Sequence, residues 1–550
     1  MDNTRDTRHA IELSPGDIEV TWDRLLALMD EAAATMIRTA YSITIRESKD
    51  LAVVLFDRQG RALAESAIAS PSFIGTLPRT LDAFLSTHPA SEWCDGDLVV
   101  TNDPWIGSGH LQDITMAAPI LLGAELLGFI AISAHGPDIG GSLYSAMSRE
   151  IFEEGLRIPI CHYARAGHRD GLVQSFITAN VRVPEKVIGD LEGMAACCTT
   201  ASHQVVRLVR EIGIGRYHRI GDEIVERSAT AISAAVAKVA NGSYTSSVTT
   251  SGFDSHLEIC CRVTIEDERI EVDYAGTSAS QPLGINVPYC YTYAHTLYPL
   301  KCIFGAAIPN NHGTATPFTV TAPEGSILNP AYPAAVNARH LTGQFLSAAV
   351  LLALAEALPD RVIAESGVPR PQVVFSGETS AGSRFVEHIF LSSGVGAGDG
   401  QDGPHALCYP TNTSNTPVEI MESLTPLLIE RKEIRSGSGG AGTYRGGCGQ
   451  RFVVRNTGDT PIRISILADM THRGARGIFG GEPGRCAVFT LDARSIDDKV
   501  VLDMSPGSVL EIDAAGGGGF GAPARRAAEA VAADIDGGYI EQKHQSPATT

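Results

Sequence analysis

Two His-x-x-Asp pairs carry the residue types best suited to chemistry in this chain: His110 with Asp113, and His135 with Asp138. The first pair closes the run N-D-P-W-I-G-S-G-H-L-Q-D, and the second lies in S-A-H-G-P-D-I-G-G. Between them, Ile114 to Ile120 and Leu127 to Ser133 are apolar runs of strand length. The short, Gly-containing segment Leu122-Gly123-Ala124-Glu125 joins them, which is the pattern of a β-hairpin. A hairpin centred near Ala124 sets Asp113 opposite His135, and facing residues on antiparallel strands have Cβ atoms about 5 Å apart. His110 then folds back over the strand start, so two imidazoles and a carboxylate share one end of the hairpin.

Imidazole and carboxylate together suit Zn²⁺, Mn²⁺ or Fe²⁺, and no thiolate is present to force zinc. Three protein ligands leave positions open for water or substrate, the arrangement of a catalytic metal. The competing reading is that these polar residues only cap strands and turns. Asn102, Asp103 and Pro104 form a turn just before the first pair. Asp103 and Asp138 are candidates for a further ligand, for an acceptor that orients one, or for a catalytic acid/base. Turn chemistry explains Asp103 equally well.

The surrounding elements follow from periodicity. Residues 17–40 carry apolar residues at helical spacing after an acidic start. Residues 51–56 and 61–65 read as strands around the turn at 57–60, 77–85 as a helix, and 97–101 as a strand leading into the hairpin. Residues 182–240 are strongly helical, most clearly over 185–196 and 201–211, and Asn241-Gly242-Ser243 ends that region. Period-two strands occupy 243–275, helices are expected at 288–305 and 338–358, and beyond 370 the chain is strand- and Gly-rich. The fold class expected is mixed α+β and multi-domain, with a helix-rich N-terminal half bearing the metal-site hairpin and a β-rich C-terminal domain. The limits are 1–240, 241–370 and 371–535, with a frayed tail over 536–550.

Composition narrows the function classes. The chain has 550 residues, 44% hydrophobic and 19% charged, as in ordinary globular proteins. A net charge of −20 with no basic run excludes a nucleic-acid or anionic-membrane footprint. The 11 cysteines form no C-x-x-C and no disulfide framework, which fits a reducing cytoplasm. The polar first ten residues do not read as a secretory leader, and the apolar runs at 114–134 and 342–358 are interrupted or too short to span a membrane.

Other candidate sites are weaker. Glu154 and Arg157, in E-E-G-L-R-I-P, offer a general acid/base and an anion contact, against a capping salt bridge. The Gly-rich tracts at 436–449 and 516–521 lack P-loop spacing, so turn and close-packing roles are preferred. Arg445 within the first tract is a candidate carboxylate or phosphate contact. Asn337 and His340 enter an apolar helix, where a cap outweighs an anion site. No G-x-S-x-G elbow anchors a serine hydrolase, and no Cys has a recognisable His partner.

The ordered motifs N-D-P-W-x-G-x-G-H-L-x-D, H-x-x-D-I-G-G-S, E-E-G-L-R-I-P, N-V-R-x-P-x-x-x-x-G-D-L, Y-A-G-T-S-x-Q, P-x-G-S-x-L-N-P, S-G-G-A-G-x-Y-R-G-G-x-G and G-G-G-G-F-G extend over most of the chain. In this order they resemble the hydantoinase B / 5-oxoprolinase B family, which includes the large alpha subunits of acetone carboxylase. The resemblance implies a two-subunit system, in which an A-type partner with an actin-like ATPase fold phosphorylates a carbonyl oxygen and the B-type chain completes the reaction. The outcome is hydrolysis of a cyclic amide in one branch and carboxylation of a ketone in the other. In the carboxylase branch the resemblance places a manganese ion at positions matching His110, Asp113 and His135. One departure stands out: the family's H-x-P-x-H-x-G is here Ala69-Ser70-Pro71-Ser72-Phe73-Ile74-Gly75, so Phe73 is expected to make a substrate pocket more apolar.

The expectation is therefore a B-type subunit of an ATP-dependent cyclic amide or imide hydrolase, working with a divalent metal (Mn, Zn or Fe) and with ATP and Mg bound by the A-type partner in a hetero-oligomer such as α2β2. Ketone-carboxylase alpha chains are appreciably longer, which favours hydrolysis. A carboxylase-type alpha subunit and a non-catalytic scaffold are the alternatives.

Overall fold

The computed structural model describes residues 13–540. The expected reading of the first ten residues and most of the expected tail lie outside that range.

The first helix, Pro15–Thr39, starts at a capping box in which Ser14 and Asp17 satisfy each other's backbone donors. It packs beside the long helix Pro184–Ile212 on one face of a sheet. That sheet has seven antiparallel strands: β1 Leu51–Asp57, β2 Ala62–Glu65, β3 Leu98–Thr101, β4 Asp113–Leu122, β5 Glu125–His135, β6 Cys161–Arg165 and β7 His168–Arg169. Their order is β2-β1-β5-β4-β3-β6-β7. With this sheet beside its helices, the N-terminal half is not clearly helix-dominated, which tempers the helix-rich expectation. The central strands are buried on both faces. Leu51, Val53 and Leu55 join the core under the two helices, while Ala52, Val54 and Phe56 join a second core with Phe73, Leu77 and Phe84. Such strands read as unbroken apolar runs instead of alternating ones.

The hairpin β4–β5 forms the middle of this sheet, and Asp113 pairs with His135. A bulge at Ile120/Leu121 sets that pairing, because near the turn Leu122 faces Glu125 while beyond the bulge Ile114 faces Ala134. Carried without the bulge, the turn-proximal register would place Ala134 opposite Asp113 and turn His135 to the other face. Gly128 sits at this irregularity, where an added Cβ would fall 2.0 Å from the carbonyl oxygen of Phe56. No larger residue fits between β5 and β1 there.

A second sheet orders Phe318–Thr321, Arg269–Asp273, His256–Glu266 and Gly242–Ser251. The helices Tyr289–Gly305 and Phe345–Ala353 pack with each other, and the latter lies on this sheet. The helix expected over 338–358 is broken into His340–Gly343 and Phe345–Ala353. Beyond 370, two further sheets of four and five strands share one buried core with the central helices. The Gly-rich tracts interleave backbone against backbone in this region. An added Cβ at Gly446 would meet the Gly517 oxygen at 2.0 Å, and one at Gly516 would meet the Ser438 oxygen at 1.8 Å. These tracts are packing layers. Among the described residues no helix is long and apolar enough to cross a membrane.

Candidate metal centre

The open end of the β4–β5 hairpin abuts residues 337–344, 370–372 and 388–390, and His110, Asp113 and His135 meet there in the interior. Asp113 is 1% exposed and His110 2%. His110 Nε2 lies 2.8 Å from Asp113 Oδ2, and His135 Nδ1 lies 3.0 Å from Asp113 Oδ1. One potential ligand atom from each of the three can be chosen so that all lie within 4.8 Å of one another. The turn before β4 also delivers Ser108, whose hydroxyl donates to Asp113 Oδ2. Gly109, at φ +93°, makes room for the Arg339 side chain, since a Cβ there would lie 2.5 Å from Arg339 Cδ. Arg339 in turn donates from Nη2 to Asp113 Oδ2 at 2.6 Å and lies over the Tyr291 ring at 4.1 Å.

The residues present fit a divalent cation. Burial, followed by the Arg339 charge, depresses the His110 pKa to about 4, so its imidazole is neutral and able to ligate. Burial works against the charge on Asp113, but the Arg339 guanidinium outweighs it and holds the carboxyl well below its usual range. His110 Nδ1 is 3.1 Å from the Asn337 carbonyl, and a proton on Nδ1 leaves the Nε2 lone pair free. His110 Nε2 is buried and, despite its short distance to Asp113, makes no aligned hydrogen bond. A lone pair beside a carboxylate oxygen without a shared proton is what two ligands converging on one cation present.

The other expected site residues divide into two groups. Glu154 is buried and does not line the cavity beside the triad; its Oε1 accepts from the Val336 and Asn337 amides at 2.7 and 2.8 Å. It thereby fixes the segment whose carbonyl meets His110. Phe73 lies on the wall of that cavity with His110, Asp113 and His135. The remaining four do not line it. Asp138 caps Gly140 at 3.1 Å and pairs with Arg182 at 2.7 Å. Asp103 accepts from the Trp105 amide at 3.0 Å in a local turn and faces Arg157 at 3.7 Å. Arg157 lies over Tyr332 at 5.1 Å. Arg445 is buried against Asp534 at 3.1 Å and bonds the Gly446 carbonyl, bracing the C-terminal helix.

Several residues of the site gave no sequence signal. Arg339 adjoins His340 and Ser108 lies two before His110, so both were within reach of the motifs. Tyr144, whose hydroxyl is 3.0 Å from His340 Nδ1, and Arg370, Gln344 and His388 come from distant segments and had no local pattern. The inner cavity measures about 30 Å³. Beyond the turn Pro71–Ile74 lies a larger one of about 960 Å³, walled by Ala69, Ile74, Tyr293, Tyr298, Lys301 and Tyr409, among others.

Comparisons agree with this fold. The ATP-dependent caprolactamase from Pseudomonas jessenii superposes with a TM-score of 0.86 at 24% identity, covering 96% of this chain and 94% of that one. The nucleotide-free acetone carboxylase structure gives 0.84 at 20% identity, over 96% and 78%. A protein of Pseudomonas sp. (strain NS671), described as the B-type subunit of a D-/L-hydantoinase, is 27% identical over 562 residues, covering 97% of this chain and 94% of its own. Residues 14–523 match the profile of one family throughout, and this chain belongs to it, the hydantoinase B/oxoprolinase family.

Proposed function

We propose that the chain is the B-type subunit of an ATP-dependent hydrolase of cyclic amides or imides, acting on a substrate whose carbonyl oxygen an A-type partner has phosphorylated. The observation that carries this reading is the buried His110–Asp113–His135 cluster, inside a chain that matches the family over residues 14–523. Amide resonance makes an unactivated lactam a poor electrophile, and phosphorylation of its oxygen supplies a leaving group.

His110, Asp113 and His135 would hold the divalent metal, which when bound lowers the pKa of a water towards neutrality and stabilises developing negative charge. The protein's own part is preorganisation. Ser108 and Arg339 fix the Asp113 carboxylate, and the Asn337 carbonyl, itself fixed by Glu154, sets the tautomer and angle of His110. Tyr144 packs edge-on against both imidazoles and closes the cluster from above. The larger cavity is of a size to admit a small ring, and the Phe73 turn stands between it and the triad. An aromatic ring at position 73 favours an apolar substrate edge.

The test is ATP-dependent ring opening by the chain combined with its A-type partner, followed by metal analysis. Ring opening that vanishes together with stoichiometric metal in His110→Ala is the expected result. Entry of labelled bicarbonate into a carbon–carbon bond would instead establish the carboxylase reaction.

A further inference from the structure

Arg370 is the largest fully buried side chain in the protein, 1% exposed, and its charge is not matched by a contacting acid. No carboxylate of the described residues lies within 4.0 Å of it. Its Nε donates to Thr411 Oγ1 at 3.2 Å and its Nη2 to Thr413 Oγ1 at 2.9 Å, both neutral acceptors. The guanidinium lies over the Phe390 ring at 4.1 Å. Nη1 has no partner among the described residues. Of the two acids on the same cavity wall, Asp113 is already engaged by Arg339, and Asp50 attracts Arg370 across the cavity without contacting it. Burying a cation without an anion in contact is unfavourable, and the unpartnered Nη1 leaves a donor on the cavity wall for an anion that arrives.

The surroundings define that anion. Arg370 lines the inner cavity together with the triad. On the same wall Gln344 keeps Nε2 unpartnered, and His340 keeps Nε2 unpartnered while Tyr144 engages its other nitrogen. The free Nη1 of the guanidinium and the carboxamide N–H, converging on one small space, are matched to separate oxygens of one compact anion. At about 30 Å³ the space exceeds the roughly 10–15 Å³ needed for one water but cannot take a ring.

We propose that Arg370 and Gln344 form a seat for a compact tetrahedral oxyanion beside the triad, namely the phosphoryl group of the activated substrate. This assignment rests on the reading that a phosphorylated substrate reaches His110, Asp113 and His135. The seat orients the leaving group while the rest of the substrate remains on the far side of Phe73.

The test is a ³¹P NMR titration of the full chain with inorganic phosphate and with methyl phosphate, metal content being measured on the same samples. Wild type is expected to bind, and Arg370→Met to bind about tenfold or more weakly with unchanged metal content. Arg370→Lys keeps the charge but loses the Nη1 donor and should fall between them; it carries the test should Arg370→Met not fold. Tighter binding of methyl phosphate assigns the seat to the substrate ester, and equal binding assigns it to the phosphoryl group before and after release. Equal affinity in wild type and Arg370→Met, or no binding of either probe by wild type, overturns the proposal. A wild type that binds phosphate and no metal would strike the metal reading and leave the seat standing.

Discussion

Replacing Asp113 by Asn isolates the charge at the middle of the candidate centre with almost no change of shape. In the native protein the carboxylate receives the Ser108 hydroxyl, the Arg339 guanidinium at 2.6 Å and a His135 contact at 3.0 Å, all in the interior. The carboxamide of the variant could turn its oxygen to Ser108 and Arg339 and its nitrogen to His135, so the hydrogen bonds survive while the charge is lost. Breaking one side of a buried ion pair costs about 3–5 kcal/mol, because the surviving charge is stranded. The retained acceptor places the expected loss near the lower end, about 3 kcal/mol. Metal affinity should fall by more than the 10–100-fold typical of an outer partner, since here a ligand itself is changed. Elemental analysis after dialysis and a denaturant midpoint read the two effects separately. Adding Arg339→Met should recover part of the stability without restoring metal, because it removes the stranded cation. An Asp113→Asn protein with full metal content and a wild-type midpoint would refute both the coordination and the electrostatic reasoning.

Four further outcomes follow from the same geometry. Gly109→Ala should mimic the loss of Asp113, since a Cβ at φ +93° lies 2.5 Å from Arg339 Cδ; metal content and thermal midpoint both report it. Glu154→Gln keeps the acceptor for Val336 and Asn337 and removes a carboxyl whose pKa burial raises to about 8. The native group takes up a proton on folding, so wild-type stability should fall as pH rises from about 4.5 to 8 and then level off, by at most about 1.4 kcal/mol per unit; a Glu154→Gln midpoint that does not flatten over this window contradicts the assignment. Phe73→His puts a polar ring in the inner wall and should shift relative kcat/KM among lactams of increasing ring size away from the most apolar, while metal content is unchanged. Chelation of the purified chain should abolish ring opening by the reconstituted system, with Mn²⁺, Zn²⁺ or Fe²⁺ restoring it; full activity after complete metal removal would exclude metal-assisted hydrolysis.

The sequence disclosed the part of the site that one hairpin builds and hid the part that the tertiary fold builds. Asp113 opposite His135 was legible because register in an antiparallel ribbon follows from turn position, and the centre at Ala124 already contained the effect of the bulge. His110 was legible because it lies three residues before the start of β4. Of the sheet around this hairpin, β1 to β5 were legible as strands, while β6 and β7 were missed because they are short, half-exposed and carry no apolar run. Arg339 and Arg370 lie in segments whose local patterns announce only a cap and a proline-flanked loop. Both are buried cations, and a buried cation has meaning only through what it faces. Arg339 faces Asp113, and the pair is complete within the chain. Arg370 faces a corner of the same cavity where no acid meets it. The contrast between two guanidiniums on one wall, one bonded to an acid and one with a donor left free, separates the group that holds the site together from the group that waits for a ligand.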